Sequence, residues 1–328
     1  MPNEIVLSAD RIVKTYTVGK RTVEAVKEIS FDVFKNEIFA LLGPNGSGKT
    51  STIKMLLGLT LPNAGCINML GFQIPKDVNK VLGHTGAILE GARNLYWHMS
   101  VMENVYYFAN IKGKEVAQVK EPMELWAEKL NMANNLNMPV GRLSRGMQQK
   151  AALICCLAMN PSILILDEPL LGLDVMTMFE MEDAIRELKK YTTVILSSHN
   201  LRFVERVADR LAILKEGSLI AMGPINELKK SISLFQFRLT LQKREANWGY
   251  LQDIESMHSK GVKVKVTEVD DYTDIVELTL SQPELIFDIM STLKEYNAVP
   301  IEISTLGESF EEVFLSLIER GEQLEACV

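Results

Sequence analysis

Little in this sequence suits an oxidising compartment, a bilayer or a nucleic acid. It has only four cysteines, Cys66, Cys155, Cys156 and Cys327, and none stands at metal-ligand spacing. Cys155 and Cys156 are adjacent in an apolar, helix-like run. The thiols are therefore expected to be reduced and packed as small hydrophobes, as in the cytoplasm. The opening Met1-Pro2-Asn3-Glu4 has no basic region leading into an apolar one, so no signal peptide is expected. The most apolar stretch, Ala151 to Leu166, is broken by Asn160-Pro161 and is too short to span a membrane. Positive charge is not in excess either. The formal net charge is −7 and the basic residues are scattered, so no nucleic-acid partner is expected.

What remains is a globular balance, 47% hydrophobic and 23% charged. The 328 residues give room for one large domain or two ordinary ones. The most informative stretch is Gly43-Pro44-Asn45-Gly46-Ser47-Gly48-Lys49-Thr50, which fits the phosphate-binding pattern G-x-x-x-x-G-K-[ST]. Ile38 to Leu42 before it reads as a buried strand, and Ser51 to Leu57 after it as a helix. Strand, glycine loop and helix N-terminus form the context that the pattern requires. Glycines let the backbone fold back so that successive N–H groups face one concavity, and the helix dipole adds positive charge there. Lys49 is placed to reach phosphate oxygens and the Thr50 hydroxyl to bind Mg²⁺.

Around this loop the chain alternates between strand-like and helix-like segments. Residues 4–42 predict short strands at Ile5–Leu7, Val23–Val26 and Ile29–Val33. Tyr16 lies between the first two, where a tyrosine serves either as packing or as a platform for a base; the residues alone leave both open. A strand is predicted over Val81–Leu89, then a loop holding Leu95, Tyr96 and Trp97, then helices over Val101–Ala109, Val119–Leu130 and Leu143–Met159, with Ser144 as N-cap of the last. Ile163–Leu166 is an apolar strand ending in Asp167-Glu168, with Pro169 stopping its ladder. A helix over Val175–Lys190, a strand over Thr192–Leu196, His199 at its end, a helix over Asn200–Val207 and a strand pair over Arg210–Ala221 follow. The alternation argues for a mixed, largely parallel α/β sheet with an antiparallel flank from the N-terminal strands. From Phe235 the texture changes to alternating strands, with helices over Pro283–Tyr296 and Ser309–Leu317, which reads as a small C-terminal α+β domain. The expected division is 1–230, with a helical subdomain at about 92–160, and 231–328.

Several features join the glycine loop in a fixed order: Leu143-Ser144-Arg145-Gly146-Met147, the strand ending in Asp167-Glu168, Gly172-Leu173-Asp174, and His199. Together they resemble the ATP-binding-cassette (ABC) ATPases, a P-loop NTPase family, over roughly Ile5 to Gly223. The resemblance implies an ATPase using ATP and Mg²⁺. Its phosphate cradle is Gly43 to Thr50 with Ser51, and Asp167 and Thr50 hold the metal. Glu168 is the general base, Lys49 the phosphate lysine and His199 the γ-phosphate sensor. Asp174 alone would be read as a helix N-cap; in this set it matches the D-loop aspartate. Tyr16 matches the aromatic that stacks on adenine. Ser144 and Gly146 match the signature that meets the ATP of a partner subunit, so a homodimer is implied. Two positions depart from the family. Arg145 and Met147 replace the usual Gly and Gln of the signature. Glu90 stands where the Q-loop glutamine is usual; a carboxylate there can reach Mg²⁺ through water but adds charge beside phosphates.

With Gly91 to Trp97, these variants resemble the ATPase subunits of ABC-2-type exporters, the group that includes daunorubicin-resistance-like proteins. Glu308-Ser309-Phe310-Glu311-Glu312-Val313-Phe314-Leu315 resembles the ending common in those subunits. The implied partner is a separate transmembrane permease, which would hold the chain at the cytoplasmic face of the membrane. The competing readings are an ABC ATPase acting on ribosomes or nucleic acid, and a nucleotide-binding regulator without turnover. One cassette and no sustained heptads argue against the first. Glu168 and His199 argue against the second.

Overall fold

The computed structural model describes residues 4–19, 21–90, 94–231, 235–242, 249–257, 262–270, 273–280 and 282–306, together with 310, 311 and 314. One compact unit runs to Ile225, and a second covers Asn226–Glu319.

The first unit opens with β1 (Ile5–Val18) and β2 (Arg21–Phe34), paired antiparallel. These are two long strands where the sequence predicts three short ones. Register shifts between Ala9 and Ile12 and around Lys14 absorb the interruptions, and Arg11 and Glu28 take left-handed backbone at φ 46° and 50°. An inserted residue reverses the in–out alternation, so the period-2 signal breaks while the ladder continues. β3 (Ile38–Leu42) is buried throughout and leads through the glycine loop into α1 (Lys49–Leu56). β4 (Ala64–Met69) and β5 (Phe72–Ile74) complete an antiparallel sheet in the order β2-β1-β4-β5, which is the expected antiparallel flank.

Val81–Leu89 is not a single strand. α2 (Val78–His84) occupies its first half and β6 (Thr85–Ile88) its second. Val78, Val81 and Leu82 recur at i, i+3 and i+4, a helical spacing that a short apolar run disguises. The helical lobe consists of α3 (Val101–Ile111), α4 (Val116–Lys129) and α5 (Arg145–Leu157), packed on one another. Then come β7 (Ile163–Asp167), α6 (Val175–Leu188), β8 (Thr193–Ser198), α7 (Leu201–Val207), β9 (Arg210–Lys215) and β10 (Ser218–Pro224). The second sheet has the order β10-β9-β3-β8-β7-β6 and is parallel except for β10. Every residue of β3, β7 and β8 is buried. Both faces of a parallel sheet are covered, which is why these strands read as unbroken apolar runs.

α8 (Ile225–Ser231) leads into the second unit, which holds β11 (Phe235–Gln242), α9 (Gly249–Ser256), β12 (Val262–Asp270), β13 (Thr273–Leu280), α10 (Leu285–Glu295) and β14 (Val299–Leu306). Its antiparallel sheet has the order β12-β13-β11-β14. Leu239, Leu241, Val276 and Leu278 of the sheet pack with Tyr250, Ile254, Ile289 and Leu293 of the two helices in a separate core. α9 gave no clear sequence signal. The helix expected over Ser309–Leu317 lies largely outside the described residues, as does most of the tail motif around it.

Candidate functional site

Strand register brings the candidate residues together. Leu42 of β3 pairs with Ser198 of β8, and Asp167 of β7 pairs with Ser197. The strands are parallel, so whatever follows each one emerges at the same edge: the glycine loop after Leu42, Glu168 after Asp167, His199 after Ser198. In open α/β sheets this carboxyl edge is where ligands bind.

The loop is shaped for close approach. Gly48 precedes α1 with φ 105°, and a Cβ there would lie 2.4 Å from the Ala25 carbonyl oxygen, so only glycine fits. Lys49 is 5% exposed and donates to the carbonyls of Gly43 at 2.8 Å and Pro44 at 3.2 Å. Its Nζ also lies 3.5 Å from Oε1 of Glu168. Thr50 Oγ1 donates to Asp167 Oδ1 at 3.3 Å. Asp167 is 2% exposed, and Ser197 Oγ donates to the same Oδ1. The other oxygen, Oδ2, is buried and has no hydrogen-bond partner among the described residues, and the same holds for Ser47 Oγ. Buried polar atoms without partners are rare in folded proteins and mark places where a ligand or ion completes the set.

Glu168 sits in left-handed backbone at φ 49°, a conformation costing a non-glycine residue ~1–2 kcal/mol. Its amide donates to Ser197 at both the carbonyl, 3.2 Å, and the hydroxyl, 3.1 Å. Its carboxylate spans two cationic or polarisable groups, with Lys49 at Oε1 and His199 Nδ1 at 2.9 Å from Oε2. His199 itself is exposed at the strand end, where Asn200 caps α7 by accepting from the Phe203 amide.

These groups line a cleft of about 790 Å³. Tyr16, Asn45, Gly46, Gly48, Lys49, Thr50, Ser51, Glu90, Glu168 and His199 all face it. Lys14 Nζ lies 5.1 Å from the centre of the Tyr16 ring. A buried ammonium, a helix N-terminus and a hydroxyl beside a carboxylate suit a phosphate chain, and a ring at the cleft wall suits a flat heterocycle.

Ser144, Gly146 and Asp174 are not in this cleft. Ser144 caps α5 by accepting from the Met147 amide at 3.3 Å. Asp174 caps α6, accepting from the Thr177 amide at 3.0 Å and the Thr177 hydroxyl at 2.7 Å. Those two bonds hold its carboxyl below the usual carboxylate range. A Cβ on Gly146 would lie 2.5 Å from Thr177 Cγ2, so the first turns of α5 and α6 are in contact. Sequence reasoning passed over two residues here, Ser197 and Thr177. A hydroxyl two positions before the histidine and another three after the capping aspartate were the available signals.

The family model described as ABC transporter matches residues 26–171. The uncharacterised ABC transporter ATP-binding protein YhaQ of Bacillus subtilis (strain 168) is 31% identical over 269 residues, 80% of this chain and 87% of that protein. A second uncharacterised ABC transporter ATP-binding protein of that organism, YhcH, is 32% identical over 302 residues, 91% of this chain and 96% of that protein. Among solved structures, cbiO1 of Clostridium perfringens, part of the transporter complex cbiONQ, matches with a TM-score of 0.61 and 26% identity, over 67% of this chain and 89% of that one. The carboxyl-edge cleft and the relatives that span nearly the whole chain agree: this chain belongs to the ABC transporter family and is an ATP-binding, ATP-hydrolysing subunit of it.

Proposed function

We propose that the chain is the motor subunit of an ABC-2-type exporter, working as a homodimer on a separate transmembrane permease. The observation that carries the reading is the division of its motifs. Lys49, Thr50, Glu168 and His199 line one cleft, with Asp167 hydrogen-bonded to Thr50, while Ser144 and Gly146 lie outside it. A second copy would bring its own Ser144 and Gly146 against that cleft and complete the site. The neighbour cbiO1 is named as part of a transporter complex. Among the described residues no helix is long and apolar enough to cross a membrane. A partner that supplies the membrane span fits both.

The geometry supports the following roles. Amides of Gly46 to Thr50 cradle the β- and γ-phosphates, and Lys49 exchanges its carbonyl and Glu168 partners for phosphate oxygens. Tyr16 stacks on the adenine. The donors at Asp167 and Thr50 suit a small hard cation. A buried carboxylate oxygen without a partner stands beside a hydroxyl, and no cluster of three acidic, histidine or cysteine ligands crowds them among the described residues. This matches Mg²⁺, which takes one or two protein oxygens and fills its shell with phosphates and water. Bound there, Mg²⁺ would offset the charge that develops on the phosphate oxygens. Glu90, also at the cleft, is placed to act on that shell through water. Once Lys49 has moved to phosphate, Glu168 Oε1 is released to accept a proton from the attacking water. His199 holds Oε2 and fixes the carboxylate in one orientation while facing the γ-phosphate. Asp174 shapes the turn that would face the partner.

The test is Glu168→Gln. The amide keeps the shape and loses the base, so ATP binding measured by calorimetry should persist while turnover falls about 10²–10⁴-fold. Turnover within a few-fold of the parent would remove Glu168 from the role of base.

A further inference from the structure

Another cavity, of about 500 Å³, lies at the sheet edge opposite the ATP cleft. Asn160 and Pro161, just before β7, and Thr192, just before β8, line one side of it. Asp167 and Ser198 end those same two strands at the other edge. Five strand residues at about 3.3 Å each put roughly 17 Å between the two sites. The facing wall is α4 of the helical lobe.

α4 turns an acidic face to this space. Glu121, Glu124 and Glu128 recur at i, i+3 and i+7, and all three line the cavity together with Leu125. None of the three forms an ion pair among the described residues, and no basic residue among these lines the cavity. α5 ends there at Leu157, which adds the negative end of a helix dipole. The field in the cavity favours a cation.

Two aromatic rings share the lining. Trp126 and Tyr191 meet edge-on, with centres 5.3 Å apart. This pair already attracts one cation. The Lys129 ammonium, neutralised by Glu187 at 2.6 Å, stands 5.6 Å from the Trp126 ring centre and 5.4 Å from that of Tyr191, without lining the cavity. A separate feature points to a ligand. Trp126 is 3% exposed, yet its indole N–H makes no hydrogen bond among the described residues. A buried indole N–H ordinarily finds an acceptor. This one is not sealed from solvent, so it opens into the cavity that Trp126 lines.

We infer that this cavity binds an organic ammonium ion that carries a hydroxyl. The ammonium lies among Glu121, Glu124 and Glu128. The carbon body packs on Trp126, Tyr191 and Leu125, and the hydroxyl oxygen accepts from the indole N–H. The volume suits a small metabolite, and the mix of apolar walls with a few convergent polar groups is that of a ligand pocket. A bound ligand ties α4 of the helical lobe to the turn between α6 and β8, away from the ATP cleft.

The experiment is calorimetric titration of the full chain with choline and with tyramine, and with para-ethylphenol, which keeps the ring and hydroxyl of tyramine but lacks the charge. At least one of the two ammonium ions should bind, and para-ethylphenol should bind at least tenfold more weakly than tyramine. The combined variant Glu121→Gln, Glu124→Gln, Glu128→Gln should lose roughly tenfold or more in affinity for the ammonium ions. Its ATP affinity should stay at the parent value, which shows that the chain is still folded. Trp126→Phe keeps a ring and removes the N–H, so it should weaken binding roughly three- to tenfold. Salt should weaken ammonium binding in the parent and have little effect in the glutamine variant. Absence of binding by both ammonium ions at about 10 mM would overturn the inference. So would equal affinity for tyramine and para-ethylphenol, or unchanged ammonium affinity in the glutamine variant.

Discussion

Glu168 is held on two sides, Lys49 at one oxygen and His199 at the other, with its amide fixed by both polar atoms of Ser197. Ser197 is the residue on which the two carboxylates depend. Its hydroxyl donates to Asp167 Oδ1 and accepts from the Glu168 amide, and it is itself fully buried. Ser197→Ala removes both bonds and leaves a buried carboxylate oxygen with one donor fewer. Leaving buried polar groups unsatisfied costs ~1–3 kcal/mol. Urea unfolding should show a loss of that size, and turnover should fall more than ATP affinity, since Lys49 and the glycine loop are untouched. Unchanged stability would mean that water replaces the hydroxyl and that Ser197 organises nothing.

α3 shows how a single element sets the site's surroundings. Its start is fixed by a reciprocal cap. The Glu103 amide donates to Ser100 Oγ at 3.2 Å, and the Ser100 amide donates to Glu103 Oε2 at 2.7 Å. Ser100→Ala should cost ~1 kcal/mol, the usual worth of such a cap. The cap also carries a pH signature. The amide of Ser100, and then its hydroxyl, hold the Glu103 carboxyl below its ordinary value. The folded chain thus binds that proton more weakly than the unfolded one. The contribution is complete above the ordinary glutamate pKa and is lost as pH falls through the lowered folded value. The stability gap between the parent and Glu103→Gln should narrow on acidification over that window, and a gap independent of pH would refute the assignment. The capping pattern was there to be read in Ser100 and Glu103, as it was in Ser144 and Asp174, because a cap is a local event. The buried strands were equally legible, since covering both faces leaves an uninterrupted apolar run. α2 and the full length of β1 and β2 were not. Their signals depend on tertiary partners: one buried face for Val81, and bulges that the partner strand accommodates.

At the scale of the molecule, the resemblance already sets Ser144 and Gly146 apart from the glycine-loop group, and the fold gives that separation a physical basis. The glycine loop, Asp167-Glu168 and His199 meet because three parallel strands end in register, whereas the first turns of α5 and α6 meet each other. The motor role proposed above calls for a surface outside both groups through which motion would pass to a membrane partner. The segment after β6 has the right chemistry. Tyr96 and Trp97 are 48% and 50% exposed, and Tyr107 of α3 beside them is 37% exposed. Exposed aromatics in one patch mark an interaction site. The patch is anchored rather than loose. Leu95 is buried, and Asn104 of α3 accepts from the Tyr96 amide at 2.8 Å and donates to its carbonyl at 3.1 Å. The Tyr96 ring packs edge-on against Tyr107 at 4.7 Å. Replacing Tyr96 and Trp97 by alanine removes the patch and spares the anchor. The expected stability loss is small, because both rings are about half exposed. ATP binding and ATP-dependent dimerisation should persist. Affinity for the cognate permease in lipid nanodiscs should fall about tenfold or more, because aromatic anchors carry much of the energy of an interface. Equal affinity in the double variant would remove this patch as the docking surface and leave the aromatics as packing for α3 alone.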